Sequence, residues 1–202
     1  MKITIMIEGR TEQAFIPYLR AFLKSRLAGS MPRLDTFRCD GRIFTHDKLK
    51  RAVENLLKDK SAPSDAVVAL TDVYTGSDDF VDATDAKNKM RAWVGENDRF
   101  FPHAAQHDFE AWLLPSWDEV QRIAGHSKGA PRGSAEQVNH NKPPSFYIKE
   151  IFEIGTSKRS YSKPRDAMRI LRGKDLVIAA KQCSELKAFL NTILGLCGGT
   201  AL

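Results

Sequence analysis

The sequence predicts an α/β protein: an open, mainly parallel sheet of four strands flanked by helices, with a helical C-terminal subdomain. Three observations predict it. Short apolar runs alternate with stretches of helical periodicity through the first 125 residues. The run "DAVVALT" is apolar without interruption, as a strand covered on both faces must be. Beyond residue 125 the strand-like runs stop and helical ones take over. A chain of 202 residues, 42% apolar and 28% charged, buries enough surface to hold such a core without disulfide or metal staples.

The elements follow in order. Lys2–Ile7 is Ile-rich and strand-like, and Phe15–Leu27 places Phe15, Leu19, Phe22 and Leu23 at helical spacing. After the break from Gly29 to Pro32, Leu34–Arg38 reads as a short strand. Lys48–Leu57 reads as a helix on Leu49, Val53, Leu56 and Leu57. Asp65–Thr71 is the buried strand. The acidic loop "DVYTGSDDFVDATD" leads to a helix over Ala86–Val94, a fourth strand over Phe101–Gln106 and a short helix around Phe109–Leu114. "HSKGAPRGSAEQVNHNKPPS" is polar and broken by Gly and Pro, which predicts a long loop. Helices are then expected over Phe146–Ile154, Arg165–Leu171, Leu176–Cys183 and Leu186–Leu194. The division is a core over 1–125 and a basic loop and helical subdomain over 126–202, packed on the core. Trp93, Trp112 and Trp117 fall in helical apolar patterns and are expected in the core.

Several classes are disfavoured. No run approaches the roughly 18 apolar residues of a membrane span. Met1-Lys2 runs straight into a strand, unlike a signal peptide. Cys39, Cys183 and Cys197 are far apart, odd in number and without a CxxC pair, which argues for a reducing cytoplasm and against a thiolate zinc site. Neither GxGxxG nor GxxxxGK[ST] occurs.

Charge divides the chain. Residues 1–125 hold 18 Lys and Arg against 19 Asp and Glu, a balance of −1; residues 126–202 hold 13 against 6, a balance of +7. The basic tail favours a polyanionic partner, most simply DNA or RNA, or else is a solvated basic helical face. Acids collect elsewhere. In an open parallel sheet ligands bind at the carboxyl ends of the strands. Glu8 follows the first strand, Asp72 ends the third with Asp78 and Asp79 in its loop, and Asp108 and Glu110 follow the fourth. Like charges held together repel unless a cation joins them, and oxygen ligands suit Mg2+ or Mn2+. Taken singly, each acid reads first as a helix cap or loop solvation, and the convergence of three strand ends is what favours a shared cation. Glu12 fits the helix dipole.

"IMIEGRTE", "VVALTDVYTGSDDF" and "FPHAAQHDFEAWLL" resemble, in order and spacing, a bacterial Toprim-like family of domains of unknown function. That family includes the second component of L-type abortive-infection systems and is related to the OLD (overcoming lysogenization defect) nucleases. "EQVNHNKPPS" and "CSELKAFL" extend the resemblance along nearly the whole chain. It implies a Toprim-like fold, Mg2+- or Mn2+-dependent cleavage of nucleic acid, and an ATPase partner in phage defence. By position it implies Glu8 and Asp72 as metal ligands and catalytic residues. Where Toprim proteins usually show Asp-x-Asp, this chain has Asp72-Val73-Tyr74, and the resemblance puts Asp79 in the second role. Glu110 resembles an extra acid of the OLD-type enzymes.

His107, beside Asp108, offers a proton carrier or phosphate contact, or a tie between strand end and helix. "SKRSYSKPR" gathers Lys158, Arg159, Lys163 and Arg165 around Tyr161, which suits phosphate contacts and base stacking. Arg10 sits at the helix entrance beside Glu8. The expectation is a metal-dependent nuclease using Glu8, Asp72, Asp79 and Glu110, with His107 in catalysis. The competing expectation is a non-catalytic subunit docked on an ATPase.

Overall fold

The computed structural model describes residues 1–74, 79–139, 142–156 and 158–202. Strand β1 (Lys2–Ile7) leads to α1 (Arg10–Arg26), β2 (Arg33–Arg38), α2 (His46–Leu57), β3 (Ala66–Asp72), α3 (Ala83–Val94) and β4 (Phe100–Ala105). A 3-10 stretch, Phe109–Ser116, runs into α4 (Trp117–Ala124). Then come a 3-10 turn at Ala135–Gln137, α5 (Pro144–Ile154), α6 (Lys163–Leu171), α7 (Leu176–Ala180) and α8 (Ser184–Leu196).

The four strands are parallel in the order β2-β1-β3-β4. The chain steps from β1 to β2 on one side, then crosses back past β1 to β3 and on to β4. Right-handed crossovers in opposite directions put their helices on opposite faces. Accordingly α1 lies on one face, while α2 and α3 lie on the other. Alternate residues of each strand sort the same way. Ile3, Ile5, Ile7, Val68 and Leu70 point to the face of α1; Met6, Val67, Ala69, Phe100 and Ala104 point to that of α2 and α3.

The C-terminal helices complete the α1 layer. Phe15 of α1 meets Phe109, Trp112 and Phe189 at ring distances of 5.6, 6.0 and 6.4 Å, so one aromatic cluster spans residue 125. The expected long loop is pinned inside by Glu136, which accepts from Trp112 Nε1 (3.2 Å), Ser184 Oγ (2.9 Å) and the Glu185 backbone N–H (3.1 Å). Among the described residues no helix is long and apolar enough to cross a membrane. All three cysteines are free; Cys39 and Cys183 are buried.

This topology positions the site. Between β1 and β3 the winding reverses, so the chain leaves the two strand ends toward opposite faces and opens a crevice at their carboxyl edge. Glu8 and Asp72 stand at its two lips.

Candidate functional site

The acids are joined to one another's backbones. Glu8 is 7% exposed, and its Oε1 accepts from the Thr71 hydroxyl and from the Asp72 N–H at 3.1 Å, which bridges the ends of β1 and β3. Asp72 Oδ1 accepts from the Phe109 N–H (2.9 Å), tying β3 to the segment after β4. Asp108, buried, accepts through Oδ2 from the Ser145 N–H at the start of α5 (3.1 Å). Its Oδ1 is buried with no hydrogen-bond partner among the described residues. Glu110 is 0% exposed; Oε2 lies 3.0 Å from Lys163 Nζ and Oε1 accepts from Tyr161 O–H at 3.4 Å. Glu12 is buried and its Oε2 accepts from the Gly9 N–H (2.9 Å). Gly9 sits at the corner where strand becomes helix, so a capping bond turns this acid inward, beside Glu8, rather than out to solvent.

Five carboxylates thus lie near enough to act on one another's ionisation. Burial pushes Glu8 up to about 7 against the bonds from Thr71 and Asp72, and the Glu12 charge adds to the rise. Asp72 is held well above the usual range by burial first, and then by Glu8, Glu12, Asp108 and Glu110. Burial likewise raises Asp108, Glu110 and Glu12, with Asp108 adding to the rise of Glu110 and Glu110 to that of Glu12. Lys163 is the cation that reaches into the group, while the exposed Lys149 of α5 also favours the ionised form of Asp108. Burial pulls the Lys163 ammonium down, but Glu110, Asp72 and Asp108 outweigh that and push it above the usual lysine value. These two ammoniums, one of them exposed, do not neutralise five acids.

The other expected residues fall in different places. Asp79, the substitute for the second aspartate, pairs with Arg42 (3.1 Å), and its carbonyl accepts from Lys89 of α3 (2.8 Å). It therefore carries a counter-ion of its own. Asp78 lies outside the described residues. His107 stacks on Tyr74 with ring centroids 5.3 Å apart, and partial burial lowers its pKa, so it is neutral near pH 7. Arg10 is exposed at the first position of α1, and Lys158 is exposed on a turn with φ of 40°.

The basic segment is corrected in two respects. Tyr161 is not a surface stacking residue: it is 8% exposed, packed edge-on against Phe152 at 5.3 Å, with its hydroxyl on Glu110. The ring fills the gap under the segment and so cannot meet a base. Arg159 and Arg165 both clasp the fully buried Asp166, Arg159 through two bonds of 2.8 and 3.0 Å and Arg165 at 3.2 Å. Arg159 also lies over the Phe152 ring at 4.7 Å. These guanidiniums are spent first on a structural acid. Lys163 is the member of the segment that reaches the crevice.

Sequence reasoning left two crevice residues out of the ligand set. Asp108 was visible as a strand-end acid, and its Asp-Phe-Glu spacing turns both it and Glu110 inward. Glu12 fits the helix dipole by sequence alone, and only its capping bond from the Gly9 N–H shows that it turns inward. Among the described residues, no three His, Cys, Asp or Glu side chains are already grouped as a metal shell. The chemistry of the donor set nonetheless fits a hard divalent cation: the donors are carboxylate oxygens, mutually repelling, with one buried acceptor oxygen on Asp108 lacking a partner.

The fold has a solved counterpart. The C-terminal region of the Burkholderia pseudomallei OLD protein is similar over 96% of this chain and 98% of that one, with a TM-score of 0.50 and 14% sequence identity. No curated protein sequence matches. A family model described as Domain of unknown function (DUF4276) matches residues 7–194, which takes in both crevice lips, Asp108, Glu110 and the C-terminal helices up to the last turn of α8. The chain belongs to that family.

Proposed function

We propose that this protein is a divalent-metal-dependent, nuclease-type phosphodiesterase acting on DNA or RNA. The observation that carries the reading is the excess of buried carboxylates over cations at a topological switch point, with Asp72 repelled by four other acids. The likeness in fold to part of an OLD protein agrees with it.

Glu8, Asp72 and Asp108 would hold Mg2+ or Mn2+. The ion supplies positive charge to the phosphate and acidifies water. The chain's own groups do the rest. The Thr71 hydroxyl and Asp72 N–H fix Glu8 across the crevice. Lys163, with 39% of its side chain exposed, is placed to bind a non-bridging phosphate oxygen while keeping Glu110. His107, neutral near pH 7, takes up or returns a proton at the rim. Arg10 and Lys158, both exposed, would contact flanking phosphates.

Labelled DNA and RNA incubated with Mg2+, Mn2+ or EDTA test this. Metal-dependent cleavage is expected, and it should fall at least about 100-fold in Glu8→Gln, Asp72→Asn and Asp108→Asn. Cleavage that survives these changes, or that never occurs, overturns the reading.

A second reading has its own observation. Lys163 already supplies Glu110 with a counter-ion, and Tyr74 stands where Asp-x-Asp has its second acid. A non-catalytic subunit of an ATPase-containing phage-defence complex would need no more than that. Co-purification with the ATPase, together with protection that survives Asp72→Asn and Asp108→Asn, would favour it.

A further inference from the structure

Tyr74 and His107 form a pair that the chemistry above leaves partly unused. Tyr74 is 46% exposed, and the other exposed large hydrophobic side chains among the described residues are aliphatic. It follows Asp72 by two residues, and its N–H donates to the His107 carbonyl at 2.8 Å. His107 directly precedes Asp108. The two rings are therefore tied to the ends of β3 and β4, beside the two acids that span the crevice. They lie 5.3 Å apart at 24°, a stacked arrangement in which His107 backs one side of the tyrosine.

We infer that Tyr74, backed by His107, is a stacking platform for an unpaired nucleobase, so that the substrate is nucleic acid single-stranded at the crevice. The inference rests on the nuclease reading and gives it a substrate class. A half-exposed aromatic ring held in place offers a flat apolar face, and a nucleobase has the complementary one. Because the backbone bond and the imidazole hold the ring, little rotamer freedom is lost when a base lands. Paired bases in a duplex are already stacked on one another and cannot use the ring. The basic segment offers no such surface, since its tyrosine is buried. The position where the resemblance expects a second metal-binding acid instead carries a group that grips a base.

The test measures binding, so that it does not depend on cleavage. Four labelled probes of equal length are titrated with Ca2+ and, separately, with EDTA: single-stranded DNA, single-stranded RNA, duplex DNA, and a single strand with abasic sites at its centre. Wild type should bind a base-bearing single strand about tenfold more tightly than the abasic one. Tyr74→Ala should erase that difference while leaving duplex and abasic affinities unchanged. Tyr74→Phe and Tyr74→Trp should keep it. The base-bearing strand that shows the difference, DNA or RNA, names the polymer. Equal affinity of wild type for base-bearing and abasic strands, or an unchanged difference in Tyr74→Ala, overturns the platform. If either occurs alongside metal-dependent cleavage, the nuclease reading stands without it. A Tyr74-dependent difference in a protein that cleaves nothing upholds the platform and removes the nuclease.

Discussion

Two of the places where this molecule gathers acids treat them in opposite ways. Asp166 in α6 is 0% exposed and is met by Arg159, Arg165 and Arg169 and by the Ser162 N–H at 2.8 Å. Burial alone would raise its pKa. The bonds from Arg159, Arg165 and Ser162 outweigh that and hold it down to about 2. The crevice gathers five carboxylates around Lys163, four of them buried and Asp72 partly so, and every one of them is raised. The same chain thus builds a complete counter-charge where an acid only fastens α6 to its approach loop, and leaves one unbuilt at the switch point. A deficit of positive charge that the fold tolerates, while three arginines are committed to Asp166, marks the place where charge is to arrive from outside.

The largest expected effect breaks the saturated side of this contrast. Asp166→Ala leaves three guanidiniums facing each other around an empty position and frees the Ser162 N–H. Removing one partner of a buried, multiply bonded pair is strongly destabilising, tempered here because Arg165 and Arg169 are about half exposed. A loss of about 3 kcal/mol in urea unfolding is expected. Asp108→Asn, by contrast, removes a repelling charge and should leave stability unchanged or raised. If Asp166→Ala proves neutral and Asp108→Asn costly, the two regions do not differ in the way described.

A smaller effect sharpens the unsaturated side. Glu8 is raised from 4.5 to about 7, so the folded state holds its proton more tightly than the unfolded chain. Its contribution to stability is complete below about pH 4.5 and is lost as pH rises through 7. Asp166 runs the other way: its contribution is present above about pH 3.8 and is lost as pH falls through about 2. Metal-free protein should therefore melt at a lower temperature at pH 8 than at pH 5.5. Glu8→Gln keeps an acceptor for Thr71 and Asp72, so it should raise stability at pH 8 by about 1–2 kcal/mol, part of the penalty that the shift represents, and flatten the slope. Mn2+ should restore wild-type melting at pH 8 and do little for the variant. A melting temperature that rises from pH 5.5 to 8 in metal-free protein contradicts the deficit.

How much of this was legible in the sequence follows from what each feature depends on. Strand cores were legible because burial on both faces forces unbroken apolar runs such as Ala66–Leu70. Helix starts were not: α1 begins at Arg10, five residues before its first apolar anchor, because its first turn is held by Glu12 and not by periodicity. Helix α4 was missed between Trp117 and Ala124, although Gly125 marks its end with φ of 68°. A Cβ there would lie 2.1 Å from Thr156 Oγ1, so the glycine serves both the left-handed cap and the close approach of the next segment. The lips of the crevice, Glu8 and Asp72, could be read from strand ends. Tyr161 and Arg159 could not be placed, since composition shows that a segment is basic but not which of its charges an acid such as Asp166 has already claimed.

Lys163 gives the finest test, because it belongs to both regions: it opens α6, three residues before Asp166, yet its ammonium lies on Glu110. Its side chain is 39% exposed, so water screens the pair and the direct gain is small. Glu110 is raised by burial and by Asp108, so at pH 5 it carries less charge and Lys163→Gln should cost little. At pH 8 all five acids move toward ionisation with their one internal cation gone, and a cost of about 0.5–1 kcal/mol is expected. Divalent cation should cancel that cost, since it supplies the charge that the lysine did. Nucleic-acid affinity should still fall, because a phosphate contact is lost that the ion does not replace. A Lys163→Gln cost that is the same at both pH values, and that Mn2+ does not relieve, would assign the lysine to the Asp166 fastening and leave the crevice with no cation of its own.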